Sequence, residues 1–246
     1  VKTKFPLRVL DFTFGEPALN LALDEVLLER AEHEGIDTLR FWESPVDFVV
    51  LGSGQVLRQE VFEEACAADG VAITRRCTAG GCVLQGPGSL NFSLALRYSR
   101  APELRSLHQS YCVILNGLAE TFARRGHSVH HRGICDLALG EHKVSGNAQR
   151  RKRNALLHHG TLLYRVNAPG MSRFLQEPAD RPDYRSQRTH DAFVHALPHD
   201  AAALRHIVCE TFNAGSMGEG PTPAERQAAE TLAGEKYRTR AWTYRR

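Results

Sequence analysis

The chain has 246 residues, 42% of them hydrophobic and 24% charged, which suits one large domain, or one domain with a small appendage. No run approaches the ~18 apolar residues of a membrane-crossing helix, and "VKTKFPLRVLDFTFGEP" holds no apolar stretch before a small-residue cleavage site, so neither a membrane span nor a secretory leader is expected. A formal charge of +3 admits an acidic partner but is too low for a dedicated nucleic-acid binder, and six cysteines without C-x-x-C or zinc-like spacing suggest reduced thiols in a cytoplasmic protein.

In chain order, "EPALNLALDEVLLERAEHEG" sets Leu19, Ala22, Leu23, Val26 and Leu27 at helical spacing, with Gly35 as the stop. "DTLRFWES" and "DFVVLGSG" read as strands around the turn residues Ser44 and Pro45. "QEVFEEACAADG" reads as one helix ended by Gly70, and "VAITRR" as a strand leading into a glycine-rich loop. "SLNFSLALRY" is the returning strand, and a long helix covers "PELRSLHQSYCVILNGLAETFARRG". "SVHHRG", "CDLALG", "HKVSGNAQ" and "ALLHHGTLLY" then predict an antiparallel meander. Short helices follow near "PGMSRFLQ" and from about Asp200. The order is that of an α/β domain with a mainly antiparallel or mixed sheet and flanking helices, since it lacks the βαβα alternation of a doubly wound fold. A catalytic domain over 1–213 is expected, followed by a linker and short C-terminal appendage over 214–246.

Three clusters carry chemistry. The loop "RRCTAGGCVLQGPGSLNFSL" ends in neither GKS nor GKT and lacks G-x-G-x-x-G spacing, so it matches neither familiar phosphate loop. Its small residues Thr78, Ala79, Gly80, Gly81 and Cys82 let main chain approach a ligand, and one of Arg75 and Arg76 can hold a phosphate; a glycine-rich hairpin with solvated arginines is the plainer alternative. In "CDLALGEHKVSGNAQ", Lys143 stands inside a strand among small residues, where an ammonium can neutralise developing phosphate charge or a bound carboxylate. Asp136 upstream is its potential partner or a metal–phosphate organiser. "LLHHGTLLY" supplies His158 and His159, whose plainer reading is a buried, hydrogen-bonded histidine; no matching ligand spacing points to a protein-bound metal. Arg150, Arg151, Lys152 and Arg153 fall at a hairpin tip, either as a solvated turn or as a docking patch for an acidic protein.

Taken together these segments resemble the lipoate–protein ligases, of the superfamily shared with biotin–protein ligases and octanoyltransferases. The family pattern, roughly RRxSGGGAVYHDxGNLNFS, NDL, K-[IV]-[SA]-G-[SN]-A-[QY] and HHGTLL, reads here "RRCTAGGCVLQGPGSLNFS", "CDL", "KVSGNAQ" and "HHGTLL". The resemblance implies the class II synthetase-like fold of that superfamily. It implies that Mg2+-bound ATP activates lipoate or octanoate to an acyl-adenylate, and that the acyl group passes to a lysine of an acceptor: a lipoyl domain, a glycine-cleavage H-type protein or a lipoate-binding protein. It places Arg76, Gly81, Cys82, Val83, Leu84, Asp136 and Lys143 toward ATP, and Thr78, Gly80, Gly81, Lys143, Ser145, Gly146 and His159 toward the fatty acid. Lys143 is the implied catalytic residue. A monomer is expected, with any accessory domain supplied by the last segment or by a separate small subunit.

The sequence departs from this pattern at Ala79, Leu84, Gln85, Gly86 and Ser89, which bears on pocket shape. Cys135 takes the asparagine position of NDL. It reads either as a small buried substitute or as the thioester nucleophile of an ATP-independent octanoyl or lipoyl transferase. A non-catalytic binding module of the same fold is a third reading, and a lysine poised at the reacting carboxylate argues against it.

Overall fold

Strand β1 (Arg8–Asp11) and helix α1 (Pro17–His33) lead into β2 (Thr38–Trp42) and β3 (Phe48–Leu51) in a computed structural model that describes residues 7–179, 181–215, 218 and 220–245. Then come α2 (Leu57–Glu60), α3 (Glu63–Asp69), β4 (Ala72–Arg75), β5 (Val83–Gln85) and β6 (Ser89–Arg97). The second half runs α4 (Leu107–Arg124), β7 (Val129–Arg132), β8 (Asp136–Leu139), β9 (His142–Arg151), β10 (Ala155–Leu163), α5 (Ala168–Phe174), α6 (His190–Phe193), α7 (Ala201–Phe212), α8 (Pro223–Leu232) and α9 (Arg240–Thr243). Among the described residues, a seven-stranded sheet runs β1-β2-β6-β10-β9-β8-β7 and a three-stranded sheet runs β4-β3-β5. Both are mixed: β1–β2 and β3–β4 are parallel and the remaining pairs antiparallel. None of the described helices is long and apolar enough to cross a membrane.

Period-two alternation assigns each face of the large sheet its neighbours. Leu90, Phe92, Leu94 and Leu96 of β6 pack with Ile114, Leu118 and Phe122 of α4 and with Leu204, Ile207 and Phe212 of α7. On the other face Ala95, Ala155 and Leu157 meet α1, which is buried nearly all round because sheet and C-terminal helices cover it on different sides. That covering is the main difference from the sequence expectation for the end of the chain. Ala229, Ala233 and Tyr237, in the stretch expected to form an appendage, join the α1 core, and a Thr222–Glu225 capping box starts α8.

Three smaller differences have local causes. The helix expected over "QEVFEEACAADG" breaks at Val61, whose extended backbone bridges Leu175 while Phe62 N–H donates to Phe174 C=O, so tertiary pairing overrides helical propensity. The strands on either side of Ser44 and Pro45 belong to different sheets, so this connection crosses between sheets and does not close a hairpin. The long helix begins only at Leu107, where Ser106 caps it by accepting from Gln109 N–H, and Pro102–Arg105 forms a 3₁₀ turn before it.

Candidate functional site

The loop between β4 and β5 lies over the α1-side face of β9 and β10. Arg75 ends β4 and Arg76 follows it; alternation sends them in opposite directions, but both turn into the protein. Arg75 is fully buried and donates to the carbonyls of Gly52, Gln55, Trp242 and Thr243, so it bolts the C-terminal segment to the loop region. Trp242 returns the contact through Nε1–H to the Arg75 carbonyl at 2.7 Å. Arg76 lies beneath the loop, with Nε donating to Thr78 Oγ1 (2.8 Å) and Nη2 to the carbonyls of Ala79 (2.7 Å) and Gly81 (2.9 Å). Gly80 takes φ +93°, and Gly52 lies so close that a Cβ there would stand 1.9 Å from the Gly80 oxygen.

A planar trans peptide sets each N–H opposite its C=O. With the Ala79 and Gly81 carbonyls drawn toward Arg76, the N–H groups of Gly80 and Cys82 point away from it, toward the side on which Gly80 and Gly81 are exposed. Successive outward N–H groups form a concavity that suits an anion. Burial pushes the Cys77 and Cys82 thiols up to about 12, so neither is a thiolate near neutral pH.

Lys143 reaches the same face through a β-bulge. Ser145 opposes Leu137 and Lys143 opposes Ala138, which leaves Val144 as the extra residue, kept in the core beside Leu137. Without the bulge, alternation would turn Lys143 to the face of Ser145. Its Nζ lies 2.7 Å from Asp136 Oδ1, and Tyr184 donates to Asp136 Oδ2 at 2.9 Å, so both carboxylate oxygens are engaged. A Cβ at Gly146 would come within 3.0 Å of Lys143 Cε and 3.1 Å of Nζ, so glycine here gives the lysine its path. The Gly80 end of the loop stands over Ala148, two residues further along β9 and about 7 Å away at strand rise.

His158 and His159 divide by face. His158 is fully buried and accepts from Gln149 Nε2 (3.1 Å), so its Nε2–H donates to Asn147 Oδ1 (3.3 Å); burial lowers its pKa to about 3 and keeps it neutral. Asn147 in turn donates to the Cys135 carbonyl (2.8 Å) and to Ser145 Oγ, pinning the start of β8. His159 faces the loop, with Nε2 2.7 Å from Thr78 Oγ1 and Nδ1 3.5 Å from Asp24 Oδ2. Cys135 is half-buried; its thiol donates to Asp136, and burial followed by the charge of Asp136 holds its pKa above the ordinary value despite Lys143.

The structure thus brings Thr78, Gly80, Gly81, Gly146, His159, Asp136 and Lys143 to one face. Ser145 is buried on the opposite face, and the Leu84 side chain packs with Val49 and Met171, leaving only its main chain for a ligand. Of the basic tract, Arg150 donates to the Cys77 carbonyl, Arg151 to Leu104 and Gln149, and Lys152 pairs with Glu29, while Arg153 is exposed. Asp24, Asn147 and Tyr184 were not anticipated as parts of the site. Asp24 left one trace: an acid set among the apolar positions Leu21, Leu23, Val26 and Leu27. Among the described residues no three His, Cys, Asp or Glu side chains gather as a metal site.

The family description "Lipoyl protein ligase A/B catalytic domain" matches residues 16–206. A protein from Aeropyrum pernix assigned to lipoate-protein ligase A is 33% identical over 155 residues; the match covers 63% of this chain and 56% of that protein's length. The octanoyltransferase LipM of Moorella thermoacetica is 26% identical over 232 residues, covering 86% of this chain and 82% of the relative. In solved structures, the bi-partite lipoate protein ligase of the Thermoplasma acidophilum lipoylation system superposes with a TM-score of 0.84 at 21% identity, over 98% of this chain and 96% of that one. The last likeness establishes the fold: a mixed α/β domain with flanking helices.

Proposed function

The chain belongs to the lipoyl protein ligase A/B catalytic domain family, and from that premise we propose that it is an ATP-dependent lipoate–protein ligase. In the first half-reaction the fatty carboxylate attacks the α-phosphorus of Mg·ATP, pyrophosphate leaves, and the acyl-adenylate forms. In the second, a neutral acceptor lysine attacks the mixed anhydride; the amide forms, AMP leaves and the amine gives up a proton. Mg2+ enters with the nucleotide, as part of the substrate. Lipoate or octanoate is the acid, and the Thermoplasma ligase, described together with its E2 lipoyl domain, supports a lipoyl-acceptor protein as partner.

The observation that carries this reading is the placement of Lys143 and the outward Gly80 and Cys82 N–H groups along one face of β9. Two anions must meet in adenylation, and a fixed cation opposite preorganised N–H donors stabilises the charge that develops between them. Lys143 is held by Asp136 until a carboxylate or phosphate oxygen competes for it, and Tyr184 keeps Asp136 in place meanwhile.

A second reading, acyl transfer through Cys135 without ATP, is favoured by the LipM relative and by the nearness of the thiol to the Lys143–Asp136 pair. The raised thiol weighs against it, because a nucleophilic cysteine needs thiolate character. Cys135→Ser separates the two. We expect turnover from free acid and Mg·ATP within about threefold of wild type, as for a surviving small side chain. Loss of nearly all turnover, with a mass shift on Cys135 when an acyl-carrier thioester is supplied, would hand the function to the transferase.

Acceptor docking rests on Lys152 and Arg153, since Arg150 and Arg151 turn inward. Rim charges act mainly on the rate of encounter. Reversing both Lys152 and Arg153 to glutamate is expected to slow acyl transfer to the acceptor about tenfold at low salt while sparing adenylate formation. Equal loss in both half-reactions, measured separately, counts against docking here.

A further inference from the structure

A chain of hydrogen bonds runs from α1 to the underside of the glycine loop. Arg40 Nη1 donates to Asp24 Oδ1 (2.6 Å) and Ser93 Oγ to Asp24 Oδ2 (2.7 Å). His159 Nδ1 faces Asp24 Oδ2, His159 Nε2 faces Thr78 Oγ1, and Thr78 Oγ1 accepts from Arg76 Nε. Asp24 and Thr78 are each 1% exposed, so water has little access to either end of the chain, and His159 between them is partly buried.

Proton counting fixes the direction of the chain. Burial alone would favour a protonated Asp24, but the charge of Arg40, with bonds from His159 and Ser93, outweighs it and holds the carboxyl below its ordinary range. A carboxylate can only accept, so His159 donates to Asp24 through Nδ1, which leaves Nε2 to accept from Thr78. The Thr78 oxygen already takes the Arg76 Nε proton, and its own hydroxyl proton goes to His159. Threonine is therefore locked by one bond accepted and one donated, and the Arg76 guanidinium plane is locked with it.

We propose that Asp24, His159 and Thr78 are positioning residues that hold Arg76 under the glycine loop, and thereby aim the Gly80 and Cys82 N–H groups at a bound nucleoside-triphosphate phosphate. This deepens the ligase reading and rests on it for the identity of the anion. The effect passes through Arg76: its Nη2 turns both loop carbonyls inward while Nε is anchored on Thr78 at 2.8 Å, the Nη1 bond to the Val50 carbonyl being longer at 3.4 Å. The Thr78 hydroxyl, which touches both His159 and Arg76, can be replaced by a methyl group of similar volume without changing charge, which makes Thr78→Val the cleanest test.

Two readouts apply to the full chain. Long-range nitrogen–proton correlation of the His159 ring should find the Nδ1–H tautomer in wild type and in Thr78→Ser, and a tautomer mixture in Thr78→Val. Calorimetry with Mg·ATP should find binding about tenfold weaker in Thr78→Val and within about twofold of wild type in Thr78→Ser, the size expected for one charge-assisted hydrogen bond. Should the valine variant not fold, Thr78→Ala gives the same comparison. An Nε2–H tautomer in wild type, unchanged Mg·ATP affinity in Thr78→Val, or equal weakening in Thr78→Ser would each overturn the relay. Absence of any Mg·ATP binding by wild type would sink the nucleotide reading instead, and the tautomer result would still decide the relay.

Discussion

Lys143→Ala is expected to slow acyl-adenylate formation by about 10²- to 10³-fold, the cost of removing one preorganised stabiliser of developing charge. The ammonium is held at 2.7 Å by Asp136, on the face it shares with the glycine loop, and its route passes over Gly146. Lys143→Arg should not rescue the rate, because a guanidinium is larger and planar where Gly146 leaves room for a slim chain. Rapid-quench detection of acyl-AMP in a single turnover measures the effect directly, with thermal melting as the control for folding. A loss smaller than about tenfold would remove Lys143 from the chemistry.

Asp24→Ala carries the largest expected stability effect. Arg40 is fully buried, its Nε has no partner among the described residues, and its Nη1 is shared between Asp24 and the Asn20 carbonyl. Deleting the carboxylate leaves an uncompensated buried charge, which costs about 3–5 kcal/mol and lowers the melting temperature by roughly 10 °C in a chain of this size. Replacing both partners, as Asp24→Leu with Arg40→Met, should recover most of that loss, because a well-packed apolar pair avoids the desolvation of both ions. For contrast, Glu210→Ala breaks only the exposed bridges from Arg124 and Arg125 and should leave the melting temperature nearly unchanged, because solvent screens such pairs. A loss below about 1 kcal/mol in Asp24→Ala would show that Arg40 is satisfied without it.

The parts of this molecule that local pattern determines were legible before any coordinates. Gly70 ends α3 in the left-handed conformation that glycine adopts without strain, and Asp200 caps α7 by accepting from Ala203 N–H. The meander from β7 to β10 follows from alternation and short turns. What was not legible depends on distant partners. Arg75 and Arg76 looked alike in sequence, yet one fastens the C-terminal segment, about 167 residues away in the chain, and the other props the glycine loop. Ser145 and Lys143 are two residues apart and would share a face in a regular strand; a bulge at Val144 separates them, and nothing in "HKVSG" announces it. The last segment read as an appendage because its few apolar residues make a weak pattern alone, and the surfaces they cover, on α1 and beside Arg75, come from distant parts of the chain.

The most direct measurement incubates purified protein with Mg·ATP and free octanoate or lipoate and looks for the acyl-AMP by mass spectrometry, with pyrophosphate release followed in parallel. The ligase account predicts that acyl-AMP and pyrophosphate form together, in wild type and in Cys135→Ser, and that Lys143→Ala forms neither at a comparable rate. No acyl-AMP from wild type, combined with acyl transfer from a carrier thioester in the absence of ATP, would contradict it.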